Sequence, residues 1–260
     1  MTQIGYRGTY NKKAKAPFRV SRSKIELFKQ CQRCFWLDTV KGIKRPDSPP
    51  FNINKAIDEL FKKEFDVHRS AKTAHPIMVE YKIDAIPFAH EQMDTWRHNF
   101  TGVQVEYAPA NLVVFGAVDD VWVNKDEELI VVDYKATAKD REVTIDSAWQ
   151  IAYKRQMEVY QWLLRQNGFA VNSTGYFVYT NGRMDLDGFN NQLQFTTKLI
   201  PYTGDDSWVE ETLVSMKQCL DSDEIPEVGV AAMGGTCNFC EYAKTRTELT
   251  LNFIKERQKK

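Results

Sequence analysis

Apolar and polar positions alternate most regularly across the runs LVVFGAVDDVWV and LIVVDYKAT, between residues 112 and 137. A period of two marks strands, whose successive side chains point to opposite faces. The polar stretch Asn124-Lys125-Asp126-Glu127 separates the runs and reads as a turn. The pattern therefore predicts a β-hairpin with strands over about 112–123 and 128–136. Elsewhere the apolar spacing lengthens to that of helices. Ser23 can cap a helix running to about Leu37, with Glu26 at the capping-box position. Asp47-Ser48-Pro49-Pro50 breaks the chain, and a helix over about 54–68 follows, with Ile57, Leu60, Phe61 and Phe65 on its apolar face. Further helices are predicted over about 90–99, 145–167 and 207–220, and strands over about 103–108, 174–180 and 192–202. Residues 234–242 read as a cysteine-bearing loop. The mixture predicts one α/β domain over residues 21–260, preceded by a flexible basic arm over 1–20.

The hairpin carries the chemistry. On its first strand Phe115, Ala117, Asp119 and Val121 share a face, and on its second Leu129, Val131, Asp133 and Lys135 do. A turn centred near Asp126 sets Asp119 opposite Asp133, with Cβ atoms about 5 Å apart. A slip of one residue would separate them. Asp120 points to the other face and reads as structural or as a polar group on the phosphate side. Carboxylates that interrupt apolar strands are costly unless paired or metal-bound, which weighs against a surface hairpin with solvated acids. Two facing carboxylates also repel, raising the pKa of one, and a divalent cation removes that conflict. Hard Mg²⁺ or Mn²⁺ takes such oxygen donors, can lower the pKa of a bound water and can polarise a phosphoryl oxygen. A lysine beside the ion stabilises developing negative charge. The constellation suits metal-dependent phosphodiester cleavage.

The helix over 145–167 aligns Trp149, Tyr153, Gln156, Tyr160 and Leu164 in one stripe. Such stripes are usually core. A buried Gln156 needs partners, and a metal-bound water, a phosphate or the acidic strand could supply them. Lys135, Lys139 and Arg141 add positive charge nearby.

The 260 residues, 43% of them hydrophobic, suffice for a sizeable core. No apolar run is long enough to span a membrane. Net formal charge is zero, so the chain as a whole does not advertise nucleic-acid binding. Its ends lean that way: Arg7, Lys12, Lys13, Lys15, Arg19, Arg22 and Lys24 precede the first acid, and the tail reads IKERQKK. Such ends contact phosphates or serve only to solubilise. There is no GxxxxGK[ST] loop, hence no helicase motif of this kind. No signal peptide is evident, so a cytoplasmic location is expected and disulfides are disfavoured.

The pattern G-x-x-D…V-V-D-Y-K resembles the PD-(D/E)XK nuclease superfamily, in particular its RecB/Cas4-like branch. YKRQMEVYQWLL carries Gln156 and Tyr160 at the spacing of that branch's Q-x-x-x-Y motif, SRSKIELFKQCQRCFWL resembles its N-terminal S-x-S…C-P-x-x-F segment, and TCNFCEY its C-terminal cysteine cluster. The resemblance spans about residues 21–245. It implies a restriction-endonuclease-like core, a mixed central sheet flanked by helices, with a cysteine-ligated metal site joining the N- and C-terminal segments. It implies Asp119, Asp133 and the carbonyl of Tyr134 as ligands of Mg²⁺ or Mn²⁺, Lys135 as the catalytic lysine, and Gln156 and Tyr160 lining the site. The expected activity is a deoxyribonuclease, of exonuclease form, in DNA repair, recombination or related processing. Relatives in the branch often work beside a helicase or in repair complexes, which leaves such a partner open.

Two departures stand out. Where the family often has a histidine on an early helix, this chain has Asp58, either a further metal ligand or a solvated helix position; Glu59 and His68 are weaker candidates. The iron–sulfur relatives use one N-terminal and three C-terminal cysteines. Here Cys31, Cys237 and Cys240 match, no cysteine stands near Arg246, and Cys34 completes a second C-x-x-C pair. Four thiolates suit tetrahedral Zn²⁺ or a [4Fe–4S] cluster; buried free thiols are the alternative. Bound metal would clip the first helix to the tail and close a very long loop. Cys219 reads as core. The missing histidine keeps a non-catalytic nucleic-acid-binding module of the same fold in view, and a metal-stabilised protein-interaction domain is a third reading.

Overall fold

A computed structural model describes residues 8–47, 51–230 and 234–259. Residues 1–7 of the expected arm, 48–50 of the expected break and Lys260 of the basic tail lie outside them.

In chain order the elements are β1 (Phe18–Ser21), α1 (Arg22–Gln30), α2 (Gln32–Lys41), α3 (Asn52–Ala71), α4 (Pro76–Glu80), β2 (Ala85–Pro87), α5 (Met93–Arg97), β3 (Val103–Tyr107), β4 (Leu112–Gly116), β5 (Asp120–Asn124), β6 (Leu129–Thr137), α6 (Ile151–Gln166), β7 (Thr174–Gly182), β8 (Phe195–Thr203), α7 (Trp208–Asp221) and α8 (Asn238–Gln258). The strands form two sheets, ordered β1-β4-β3 and β2-β5-β6-β7-β8. In the larger sheet β6 and β7 run parallel, joined through α6, while β2, β5 and β8 add antiparallel pairings. The restriction-endonuclease-like α/β architecture, a mixed sheet flanked by helices, is the one expected.

The strand expected over 112–123 divides in two. Val118 donates its N–H to the carbonyl of Trp96, and the Arg97 guanidinium takes the carbonyl of Asp119. The end of α5 thus replaces strand partners for three residues, and the chain passes from the small sheet at Gly116 to the large one at Asp120. The hairpin itself follows the expected register. Asp120 pairs with Val132 and Val123 with Leu129. Its turn is held by the Asn124 side chain, which accepts the N–H groups of Asp126 and Glu128, with Glu127 left-handed at φ 60°.

α6 carries an unbroken buried run from Gln156 to Leu164, the mark of a helix packed on all sides. It lies against β3 and β4 of one sheet and β6 of the other. Its polar residues are stapled: Glu158 accepts from Tyr202 and Trp208, and the Gln161 amide donates to the carbonyls of Asn172 and Ser173. On the opposite face of the large sheet, Phe65 of α3 packs with Trp122, Val132, Tyr134 and Val178.

Other expectations shift. Residue 20, the expected end of the arm, falls inside β1, which pairs with β4 in parallel. The helix expected over 23–37 is capped by Ser21 instead of Ser23, and it breaks at Cys31, extended at φ −159°, ψ 106°. Cys31 closes α1 through its N–H to Leu27 and opens α2 through its sulfur, which accepts from the Cys34 N–H. Leu60 faces solvent, because α3 turns Phe61 and Phe65 inward. The helix expected over 90–99 shrinks to α5, and the expected loop over 234–242 instead begins α8, so Cys240 is helical. No helix among the described residues is long and apolar enough to cross a membrane.

Candidate functional site

β6 is the central strand of the hairpin's sheet, and it places Leu129, Val131 and Asp133 toward α6, with Ile130, Val132 and Tyr134 toward α3. Asp133 is fully buried. Continuing the register Asp120–Val132 by one step sets Asp119 opposite Asp133, and the Asp119 carboxylate accepts the N–H of Tyr134 at 3.0 Å. Lys135, with 14% of its side chain exposed, is ion-paired with Asp133 and lies over the Tyr153 ring at 4.6 Å. The three predicted hairpin residues are therefore together.

Their electrostatics are strained. Burial, and next Asp133, push the Asp119 carboxyl well above the usual carboxylate range. Burial alone would lower the Lys135 ammonium, but Asp133 and Asp119 outweigh it and hold its pKa above the ordinary value. Apart from the ammonium's charge, Asp133 has little help: neither carboxylate oxygen receives an aligned hydrogen bond from the described residues. A fully buried carboxylate without such donors is costly. Two carboxylates and a neighbouring backbone carbonyl are the hard oxygen donors that Mg²⁺ and Mn²⁺ prefer, so the donor set fits a divalent cation.

Gln156 and Tyr160 form their own pair, the amide donating to the phenol oxygen at 3.1 Å. The buried amide thus finds one partner a helical turn away, in the Tyr160 phenol. Burial raises the Tyr160 pKa, with Asp119 and Asp133 adding to it and Arg22 opposing, so the phenol stands near both acids. Gly116 makes room for this: a Cβ there would come within 2.6 Å of the Tyr160 ring and 3.3 Å of Arg22.

Asp58 stands on the α3 face turned to β6, a turn beyond Asn54, whose amide donates to the Ala136 carbonyl. Burial and then Asp119 raise its pKa, against the pull of Lys62, which bonds it at 2.6 Å. Glu59 lies 3.8 Å from the same lysine. His68 is nearly three turns beyond Asp58, bonded to Thr73. Lys139 packs over Trp149 at 5.4 Å, and Arg141 is exposed.

Sequence reasoning counted Arg22 only among the basic residues of the N-terminal region, and it missed Lys62 and the network around Asp120. Asp120 is fully buried and accepts from Arg69, Arg97, the Tyr134 hydroxyl and the Val121 N–H. Asp66 bridges the same two arginines. An arginine in the last turn of each of α3 and α5 was the available signal.

Cys31, Cys34, Cys237 and Cys240 bring their sulfurs within 4.8 Å of one another, a set able to hold a structural metal. Cys219 stands apart on α7, and burial raises its pKa to about 11.

A comparison with curated proteins finds no match. Among solved structures, one described as the crystal structure of SSO0001 aligns with 14% identity and a TM-score of 0.35, over 83% of this chain and 82% of its own. A family model described as the PD-(D/E)XK nuclease superfamily matches residues 49–245. That span is about three quarters of the chain and holds the hairpin acids, Lys135, the Gln156–Tyr160 pair, Cys237 and Cys240. Proteins of this superfamily generally hydrolyse phosphodiester bonds and use divalent metals. The chain belongs to the PD-(D/E)XK nuclease superfamily.

Proposed function

We propose that this protein is a Mg²⁺- or Mn²⁺-dependent deoxyribonuclease of the RecB/Cas4-like branch, acting as an exonuclease in DNA repair or related processing. The observation that carries the reading is Asp133: fully buried, its oxygens without aligned hydrogen bonds, beside a second carboxyl held above its usual range. Such a pair is expensive to keep empty-handed and is relieved by a divalent ion. In this reading Asp119, Asp133 and the Tyr134 carbonyl hold the ion, and Asp58 contributes from α3. The bound ion would supply a water of lowered pKa and a polarised phosphoryl oxygen.

The remaining steps belong to side chains. Lys135, kept protonated by the two acids, offers its charge to the phosphoryl oxygens as negative charge develops. Tyr160, fixed by Gln156, shapes the wall of the site. Arg22 and Lys62 add cations from α1 and α3 that suit the flanking phosphates. Residues 21–260, together with the rest of β1, form the nuclease domain, and the exposed Lys13 and Lys15 ahead of it contact the nucleic acid, while Lys12 is paired with Asp223. A location in the cytoplasm and a helicase or repair-complex partner belong to the same reading.

An assay on end-labelled single- and double-stranded DNA with Mg²⁺ or Mn²⁺, run beside Lys135→Ala, tests this. Cleavage should require the ion, and the variant should be slower by about a hundredfold to a thousandfold. Ion-dependent cleavage that Lys135→Ala leaves untouched sinks the site assignment. If neither protein cleaves, calorimetry with Mn²⁺ decides whether a non-catalytic binding module remains: an ion that binds, and no longer binds to Asp119→Ala, keeps the site.

A further inference from the structure

The iron–sulfur proteins that the sequence resembles place cysteines at three of these four positions, Cys31, Cys237 and Cys240, and the sulfur positions in this chain do not fit a cluster. Sγ of Cys34 lies 3.7 Å from that of Cys237 and 3.5 Å from that of Cys240, and Cys31 lies 3.7 Å from Cys240. All four sulfurs fall within 4.8 Å of one another. In a [4Fe–4S] cubane each thiolate caps a different iron on the outside of the cube, which spaces the sulfurs on the order of 6 Å apart. A two-iron cluster brings sulfurs close only on the same iron and separates the two pairs by a similar distance. Neither arrangement can be spanned by these side chains as they stand. One ion with four metal–sulfur bonds of about 2.3 Å at tetrahedral angles needs sulfur–sulfur edges of about 3.8 Å, close to the measured separations. A disulfide would need about 2 Å, and all four thiols are free.

We infer that the four cysteines hold a single zinc ion in a closed tetrahedral S4 site. Soft thiolates choose zinc over magnesium or calcium. Four ligands fill the coordination shell, leaving no open position for a water or substrate, as in structural zinc sites; Cys31, Cys34 and Cys237 are 1%, 7% and 3% exposed, and Cys240 is half-buried. Four thiolates around a divalent ion leave a net negative charge, and the surroundings answer it. The Cys31 sulfur accepts the N–H groups of Cys34 and Gly229, and Arg45 donates to Cys237 at 3.4 Å. Arg45 is itself fixed by Gln30 at 2.9 Å and lies 4.5 Å over the Phe239 ring. Partners of this kind orient and tune thiolate ligands. Gly229 permits the contact: a Cβ there would stand 2.4 Å from the Cys31 Cα. Because zinc does not change oxidation state, the clip has no metal-centred redox step, unlike a cluster.

The test is the metal content of the whole chain produced without oxygen in iron-replete medium, which depends in no way on nuclease activity. The expected protein is colourless, carries about one zinc and no acid-labile sulfide, and stays colourless when incubated with Fe²⁺, sulfide and reductant. Exchange with Co²⁺ should give the absorption of a tetrahedral tetrathiolate, and Arg45→Gln should lose its zinc to a chelator faster than the parent. A brown protein with about four irons and four sulfides per chain overturns the inference. So does a metal-free protein whose five thiols all react without a chelator.

Discussion

Asp119 and Asp120 are adjacent in sequence at the head of the hairpin, and their surroundings are opposite in kind. Asp120 faces α3 and is saturated: two guanidiniums, a phenol and a backbone amide share its carboxylate. Asp119, with Asp133 across the register, meets one backbone amide and one ammonium, while its carboxyl is pushed up by burial. The first arrangement spends its polarity on holding α3, α5 and the sheet together. The second leaves polarity over, and a carboxylate with unmet demand is one that an external ligand can satisfy. Degree of satisfaction, more than burial, separates the acid that builds the fold from the pair that is left to bind.

The sharpest way to break this contrast is to neutralise one acid on each side. Asp133→Asn should cut metal-dependent cleavage by about a thousandfold or more. In chelator it should lower the melting temperature by less than Asp120→Asn does, because it relieves Asp119 of a like charge and leaves Asp119 as the counterion of Lys135. A variant that melts as low as Asp120→Asn without metal, or that still cleaves, would erase the distinction. Asp120→Asn should do the reverse, losing about 3–5 kcal/mol of stability because Arg69 and Arg97 are left buried without their acid. For a chain of this size that is a fall of on the order of 10 °C, measurable by calorimetry. The residual folded fraction should cleave normally per molecule.

The smallest effect is at Asp66. Burial would raise its carboxyl, but hydrogen bonds from Arg69 and then Arg97 outweigh it and hold the pKa below the usual range. A carboxyl depressed on folding stabilises above its unfolded pKa, near 4, and loses that contribution as pH falls through the folded value. Since 45% of the side chain is exposed, the effect should be at most about 1 kcal/mol after screening. Asp66→Asn should therefore flatten the dependence of the urea midpoint on pH below about pH 4. An acid limb as steep as the parent's would detach Asp66 from the network.

The hairpin was legible because a two-residue period, a polar turn and a pair of misplaced acids are all local, and the register centred at Asp126 needed nothing from the rest of the chain. The split between β4 and β5 was not, because Trp96 and Arg97, some twenty residues earlier, supply the bonds that end one strand and begin the next. The Asp120 network failed to register for the same reason: a lone arginine on a helix gives no sign of which distant carboxylate it will meet. The cysteine pairs could be grouped by spacing alone, whereas the break at Cys31 that turns two of them to one side depends on its sulfur capping α2 and receiving Gly229. In α8 the cysteine spacing drew attention to a loop and hid a helical start.

The cysteine cluster also imposes a schedule. Cys34 and Cys237 are 203 positions apart, and a ribosome adding roughly 5–20 residues each second needs about 10 to 40 s to cover that span. Throughout that interval the first two thiols exist with half a binding site between them. The second pair arrives only after both sheets have been translated, so the clip can close only around sheets that are already made. Translation stalled between Cys34 and Cys237 leaves an open pair of thiols, a chemical mark that sets the stalled product apart from one that holds all four.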